Sequence, residues 1–238
     1  MDKHTLKQVA WIGDAYVKGP VRGVILAFHG LGFGGLKRDP STVELEWARA
    51  GGLVVFPYYG PWSWMNRQAR AFVDDLVGSV YAAYRLSDKV PLFSTGGSMG
   101  GLSSLLYTRY ARRPIAACLA VCPVCDLKVH FSERPDLPPT ILYALRGYKE
   151  DREVLFAEHS PVAQVDRMPA IPYLVVHGDA DRAVSKSKHS DRFVAGMRKR
   201  KLDVEYIEVP GMDHGGPTPI AVLERQIEFV TSRLRAKR

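Results

Sequence analysis

Short runs of consecutive apolar residues alternate along this chain with longer stretches in which apolar residues recur every three or four positions. The runs "GVILAFHG" (23–30), "GLVVFP" (52–57), "VPLFST" (90–95), "IAACLAVC" (115–122) and "IPYLVVHG" (171–178) are rich in Val, Ile and Leu, and several end in Gly or Pro. Unbroken apolar character over so short a span predicts strands buried on both faces, as in a parallel sheet. "DVEYIEV" (203–209) alternates instead and predicts a last strand nearer an edge. Before residue 20, "LKQVAWIG" and "AYVKG" are expected to form an N-terminal hairpin.

Between the runs lie helical patterns. Residues 40–50 carry Val43, Leu45, Trp47 and Ala48, with Ser41 placed as an N-cap. In 65–86, Phe72, Leu76, Val80 and Tyr84 recur at intervals of four and share one face. Residues 98–110, 187–200 and 218–235 repeat the pattern through Leu102, Leu105 and Leu106, through Phe193, Val194 and Met197, and through Leu223, Ile227, Val230 and Leu234. Strand–helix alternation of this kind implies one three-layer α/β domain over 1–238 with a mostly parallel sheet. Only 127–159 breaks the rhythm. It is rich in Pro and charge yet too apolar for disorder, and is expected to be a small helical insertion over the carboxyl ends of the strands. Ligand crevices of open α/β sheets lie there, which makes the insertion a candidate lid.

Candidate chemistry gathers at the same edge. Gly96-Gly97-Ser98-Met99-Gly100 fits G-x-S-x-G between a strand and a helix, where a tight turn exposes the serine hydroxyl at a helix N-terminus. A serine needs a base to take its proton, and the base a carboxylate to orient it. His214, in "VPGMDHGG" after the last strand, returns to this edge. The preceding strand leads into "HGDADRAV" (177–184), which offers Asp179 and Asp181. Asp181 lies further into the loop and is favoured; Asp179 is read as bracing the turn, Asp213 as pointing away, and Asp126 as a reserve acid. An oxyanion needs donors. These are expected to be the N–H groups of Met99 and of Leu31 in "FHGLGFGG" (28–35), with Gly32 as the next choice and His29 holding the loop.

With these residues in place, the sequence resembles the α/β-hydrolase superfamily over nearly its whole length. The C-terminal half resembles the catalytic domain of the prolyl oligopeptidase family through "HSPVAQV" (159–165), "MPAIPYLVVHGDADRAV" (168–184) and "VEYIEVPGMDHG" (204–215). In that family the aspartate four residues after the HG histidine and the histidine of the last loop complete the triad, so the resemblance implies Asp181 and His214. Two departures matter. The region before residue 20 has no room for a β-propeller, and HGLG implies a backbone donor where those peptidases often use a tyrosine hydroxyl. In the backbone donor the chain resembles small esterases and dienelactone-hydrolase-like proteins, although the latter use cysteine where this chain has Ser98.

Composition narrows the classes. The 238 residues are 46% hydrophobic, enough for a full core, and the formal net charge is +8. The basic clusters "RKRK" (198–201) and "RLRAKR" (233–238) are read as solvated helix ends. No basic stripe interleaved with aromatics argues for nucleic acid, and no apolar segment suits a membrane span or secretory signal. Cys118, Cys122 and Cys125 are too few and too clustered for a disulfide framework and fit a reducing cytoplasm. C-x-x-C at 122–125 is read as quiet thiols rather than a redox or metal pair. No metal or cofactor is expected. The substrate is expected to be a small carboxylic ester, with a short peptide or amide as the alternative; a non-catalytic binding module on the same scaffold is disfavoured because all three triad types are kept. Trp62 and Trp64 in "PYYGPWSWMNR" (57–67) either line an acyl pocket or pack the lid. Phe33, His130, Phe131 and Tyr143 are further pocket candidates, and Ser160 is expected to cap a short helix.

Overall fold

The computed structural model describes residues 1–36 and 39–235. Among these residues seven strands form one sheet: β1 (Ala10–Ile12), β2 (Gly23–Phe28), β3 (Gly52–Pro57), β4 (Leu92–Gly97), β5 (Ile115–Val121), β6 (Tyr173–Gly178) and β7 (Val204–Val209). Their order is β1-β3-β2-β4-β5-β6-β7. Only β1 runs antiparallel to its neighbour; the other pairs are parallel.

Successive side chains go to opposite layers. From β2, Val24, Leu26 and Phe28 join one core while Ile25 and Ala27 join another; β3 divides Leu53 and Val55 from Val54 and Phe56 in the same way. Both faces are therefore covered, which is why the strands are apolar throughout. One face packs against α1 (Lys3–Val9), α3 (Arg67–Ala83), α4 (Met99–Tyr110) and α9 (Ser190–Lys199). The other packs against α2 (Thr42–Arg49) and α10 (Ile220–Arg235). The alternating run, β7, lies at the sheet edge and is half-buried along most of its length.

Helix α2 starts where expected. Ser41 Oγ accepts the Glu44 N–H and the Glu44 carboxylate accepts the Ser41 N–H, a reciprocal capping box. In α3 the buried stripe is Ala69, Val73, Leu76, Val77 and Val80, with Phe72 and Tyr84 only half-buried, so the helix is rotated slightly from the four-residue pattern. The basic clusters end α9 and α10; residues 236–238 of the second lie outside the described residues.

The N-terminal hairpin is not formed. Asp2 accepts the Thr5 N–H and starts α1, which buries Leu6, and the chain then makes a single short strand paired with β3. Three residues of alternation, Ala10 to Ile12, are too few to distinguish a hairpin arm from an edge strand recruited by a distant partner.

Between β5 and β6 lie α5 (Leu127–His130), α6 (Leu137–Ala144), α7 (Arg152–Glu158) and α8 (Pro161–Gln164). Their anchor is Glu133, whose Oε2 accepts from His130 Nδ1 at 2.7 Å and from His189 Nε2 at 2.9 Å. Burial works to raise the Glu133 carboxyl, but these two hydrogen bonds outweigh it and hold the pKa at about 2, against 4.5 for a free glutamate. A depressed carboxyl contributes stability that is complete above the unfolded value and is lost as pH falls toward the folded one. Glu133→Gln should therefore flatten the loss of stability between about pH 4.5 and pH 2. Urea titrations across that window read the slope; an unchanged slope would remove Glu133 from the account. Ser160 stands at the N-cap position of α8 but makes no cap: its hydroxyl donates to Phe156 O at 2.7 Å and accepts the Leu127 N–H at 2.8 Å.

Candidate active site

Ser98 joins β4 to α4 with φ 58° and ψ −123°. A positive φ at a residue with a Cβ is strained and persists only where the surroundings hold it. Here the surroundings are backbone. A Cβ on Gly96 would run into the carbonyl of Gly100, and one on Gly100 into the carbonyl of Phe28. A Cβ on Gly97 would meet Val121 O at 3.6 Å, an ordinary contact. Close approach therefore requires the outer glycines of G-x-S-x-G and not the inner one. The Ser98 N–H donates to Val121 O at 2.9 Å, which ties the turn to β5.

His214 Nε2 lies 2.9 Å from Ser98 Oγ, and its Nδ1 lies 2.7 Å from Asp181 Oδ2. With Nδ1–H donating to the carboxylate, Nε2 is the acceptor for the serine proton. The second oxygen of Asp181, Oδ1, accepts the N–H groups of Ala183 and Val184, both at 2.9 Å. His177, fully buried, places Nε2 3.2 Å from Asp181 Oδ2 and 3.0 Å from Val184 O, while Ser190 Oγ donates to its Nδ1 at 2.6 Å. Burial works to raise the Asp181 carboxyl, but hydrogen bonds from His177, His214 and the Val184 N–H hold it well below its ordinary value. The sequence reading assigned His177 no part in this. A histidine closing an apolar strand is costly without partners, and that was the available signal.

The loops carrying Asp181 and His214 are locked together. The Gly211 N–H donates to Asp179 Oδ1 at 2.7 Å, and a Cβ on Gly178 would run into the Met212 carbonyl. The competing acids are all engaged elsewhere. Asp179 braces this turn, Asp213 accepts the N–H of His214 itself at 2.6 Å, and Asp126 accepts the Val129 N–H and pairs with Arg192 at 2.6 Å.

Leu31 lies on the turn after β2. The Gly32 N–H is taken by Pro61 O at 2.9 Å, which removes the second-choice donor. Among the described residues no acceptor takes the N–H of Leu31 or Met99. His29 is buried between Tyr59 and Phe33, with ring centroids at 4.2 and 5.4 Å, and donates from Nδ1 to Gly30 O at 2.9 Å. Burial lowers its pKa, so it braces the turn as a neutral ring. The phenol of Tyr59 is buried and donates to His29 O at 2.9 Å.

The aromatic residues separate into three settings. Trp62 is exposed and sits edge-on to Tyr143 at 6.1 Å; both border a cavity of about 480 Å³ with Tyr58, Pro61, Phe72 and Arg146. Pro61 connects this cavity to the Leu31–Gly32 turn through the hydrogen bond just described. Of the two places open to Trp64 in the sequence, the structure gives the lid packing and not the pocket wall: the residue is fully buried and donates from Nε1 to Thr140 Oγ1 at 3.1 Å, among the helices between β5 and β6. His130 is likewise buried, bound to Glu133 and 5.5 Å from the Trp64 ring, and Phe131 packs on Phe156 at 5.3 Å. Phe33 borders a different hollow, together with Gly30, Gly97 and Ser41.

The three cysteines are free and buried. Burial raises the thiols of Cys118 and Cys122 to about 11 and 12 and holds that of Cys125 well above its ordinary value. Among the described residues two groups bring three metal-ligating side chains together: Cys122, Asp181 and His214, and His130, Glu133 and His189. Among the described residues no helix is long and apolar enough to cross a membrane.

Comparison with known proteins places this geometry. No curated protein matches the sequence. A Mycobacterium tuberculosis puromycin-hydrolyzing peptidase superposes with a TM-score of 0.73 at 20% identity, over 92% of this chain and 35% of its own. Pyrococcus horikoshii acylaminoacyl peptidase gives 0.75 at 14%, over 96% and 40%. The esterase PE8 gives 0.63 at 15%, over 91% and 94%. The chain thus spans little more than a third of the length of these peptidases and nearly all of the esterase. At such identities the likeness establishes the α/β-hydrolase fold. The sequence from 66 to 235, which contains Ser98, Asp181 and His214, matches the profile of the prolyl oligopeptidase family. The chain belongs to the prolyl oligopeptidase family and has the α/β-hydrolase fold.

Proposed function

We propose that the protein hydrolyses small carboxylic esters through an acyl-enzyme. Ser98 Oγ attacks the carbonyl carbon as its proton passes to His214 Nε2, and the carbonyl oxygen becomes an oxyanion held by the N–H groups of Met99 and Leu31. The C–O bond to the leaving alcohol breaks as His214 returns the proton to it. Water then attacks the acyl-enzyme with His214 again as base, releasing the acid and restoring Ser98. Asp181 holds the imidazole in the Nδ1–H tautomer and stabilises the imidazolium. The observation that carries this reading is the continuous line from Asp181 Oδ2 through His214 to Ser98 Oγ, at 2.7 and 2.9 Å. The entire described chain serves as one catalytic unit, and the helices of 127–159 act as its lid.

The choice of ester over peptide rests on the cavity beside the Leu31 turn. Its walls carry Tyr58, Tyr59, Trp62, Phe72 and Tyr143 and are uncharged apart from Arg146, and among the described residues no carboxylate lines it to hold a free amino terminus. Turnover of p-nitrophenyl acyl esters against aminoacyl anilides tests the choice. Ester turnover with slow anilide turnover is expected; efficient anilide turnover with inert esters would make the protein an exopeptidase or amidase.

His177 has a positioning part in the same scheme. Its Nε2–H shares Asp181 Oδ2 with His214 and keeps that oxygen anionic and aimed. Removing a hydrogen bond to a charged group costs about 1.5–3 kcal/mol. His177→Leu, which has no side-chain donor, should accordingly lower kcat by about ten- to a hundredfold with KM nearly unchanged. A rise in KM alone would place His177 outside the relay.

A further inference from the structure

Cys122 takes no part in the proposed reaction, yet the chain holds it beside the reaction's acid and base. It follows β5 in a left-handed conformation, φ 43°, strained for a residue with a Cβ. Its N–H donates to Val176 O at 2.7 Å, which ties it to the strand leading to Asp181. One donor atom from each of Cys122, Asp181 and His214 lies within 4.8 Å of the other two. Cys122 and the Asp181 side chain are buried, while the His214 side chain is 23% exposed and opens the group to solvent.

We propose that Cys122, Asp181 and His214 form an inhibitory site for a thiophilic d10 cation, zinc or cadmium. A thiolate, an imidazole and a carboxylate make a three-ligand set that zinc accepts with water in the fourth position, and the thiolate selects against hard cations such as magnesium. The proton balance is defined. The Cys122 S–H bond breaks and its proton leaves to solvent as the Sγ–metal bond forms. The metal takes Nδ1 of His214, and the Nδ1 proton is replaced by one on Nε2, so the imidazole stays neutral. That tautomer donates toward Ser98 Oγ where it formerly accepted, and it cannot act as base. Asp181 loses the hydrogen bond from His214 but keeps those from Ala183, Val184 and His177.

The second group is excluded by its own hydrogen bonds. His189 Nδ1 accepts the N–H groups of Cys125 and Asp126, both at 3.1 Å, so its proton sits on Nε2 and is given to Glu133. A metal on Nε2 would demand an imidazolate. Among the described residues His214 has no such donors on either nitrogen: Nδ1 faces a carboxylate, and Nε2 a hydroxyl that can turn to accept.

The inhibition rests on the reading of His214 as base, but the binding does not, and the test separates them. Zinc binding to the full chain is measured by calorimetry, at a pH where the protein is stable, for the wild type, Ser98→Ala, Cys122→Ala and Cys125→Ala. The site predicts one zinc per chain for the wild type, Ser98→Ala and Cys125→Ala, and a loss of at least about tenfold in affinity for Cys122→Ala. Ester turnover in the wild type should fall with zinc or cadmium and recover with a chelator, while magnesium has no effect. Cys122→Ala should keep its basal turnover and lose the sensitivity. If Cys122→Ala does not fold, Cys122→Ser serves in its place, with the same loss expected because a hydroxyl does not ionise for zinc at neutral pH. Absence of zinc binding in the wild type, undiminished binding in the Cys122 variants, or loss of binding in Cys125→Ala would overturn the site. Binding as described in a protein that turns over neither esters nor anilides would instead leave the site standing and remove the catalytic reading.

Discussion

Ser98→Ala is expected to lower kcat on the best ester by about a million-fold, the scale seen when the nucleophile of a serine hydrolase is removed. The substitution deletes one oxygen and leaves the Cβ in place, so the strained turn is unchanged in its steric demands. Gly96 and Gly100 still give it room, and the Ser98 N–H bond to Val121 O belongs to the backbone. The atom left without its partner, His214 Nε2, is on a side chain 23% exposed and finds water. The expected result is therefore loss of turnover with the melting temperature nearly unchanged. Stopped-flow kinetics with a p-nitrophenyl ester checks it, since the burst of acylation should vanish together with steady-state turnover. A variant that keeps even a hundredth of wild-type kcat would mean that another group attacks.

Asp181→Asn is expected to lower kcat by about ten-thousandfold, the effect of giving a triad histidine the wrong tautomer. The structure fixes how the amide must sit. Two backbone N–H groups, of Ala183 and Val184, point at Oδ1 and demand an acceptor there. The amide NH2 therefore occupies the place of Oδ2, facing His214 Nδ1 and His177 Nε2. An N–H aimed at Nδ1 makes that nitrogen the acceptor and moves the His214 proton to Nε2, where it opposes the serine hydroxyl. The same swap leaves the buried Nε2–H of His177 against an N–H, so some stability is lost as well. Asp181→Glu does not restore the geometry, because its longer side chain cannot keep both the turn and the relay. In the wild type, hydrogen bonds hold the Asp181 carboxyl ionised well below its ordinary range despite burial. Any decline of kcat/KM on the acid side of neutrality should then persist in His177→Leu and belong to a group other than Asp181.

The strands of the parallel sheet were legible because burial on both faces leaves a plain mark, an unbroken apolar run, and the ends moved by only a residue or two. The nucleophile turn was legible for a stronger reason. Gly96 and Gly100 meet backbone carbonyls, so their identity is set by contacts that no other residue type satisfies. His214 and Asp181 followed from where β6 and β7 must deliver their loops. What escaped the sequence depended on contacts between distant segments. The three residues of β1 acquire their role from β3, and the N-terminal helix is decided by one aspartate and one leucine. Trp62 and Trp64 are two residues apart and alike in type, yet one is exposed beside Tyr143 and the other is buried against Thr140 and His130. Nothing local separates them; the helices between β5 and β6 do. Ser160 shows the same limit, for its hydroxyl is drawn to Phe156 O and the Leu127 N–H although the local sequence suits a cap.

The account stands on one claim, that His214 and Asp181 activate the hydroxyl of Ser98. A fluorophosphonate probe reacts with an activated serine and spares an ordinary one, and intact-mass analysis with peptide mapping locates the adduct. One adduct per chain is expected on Ser98 in the wild type and none in His214→Ala, although that variant retains the hydroxyl. No adduct in the wild type, an adduct elsewhere, or equal labelling of Ser98 in His214→Ala would contradict it.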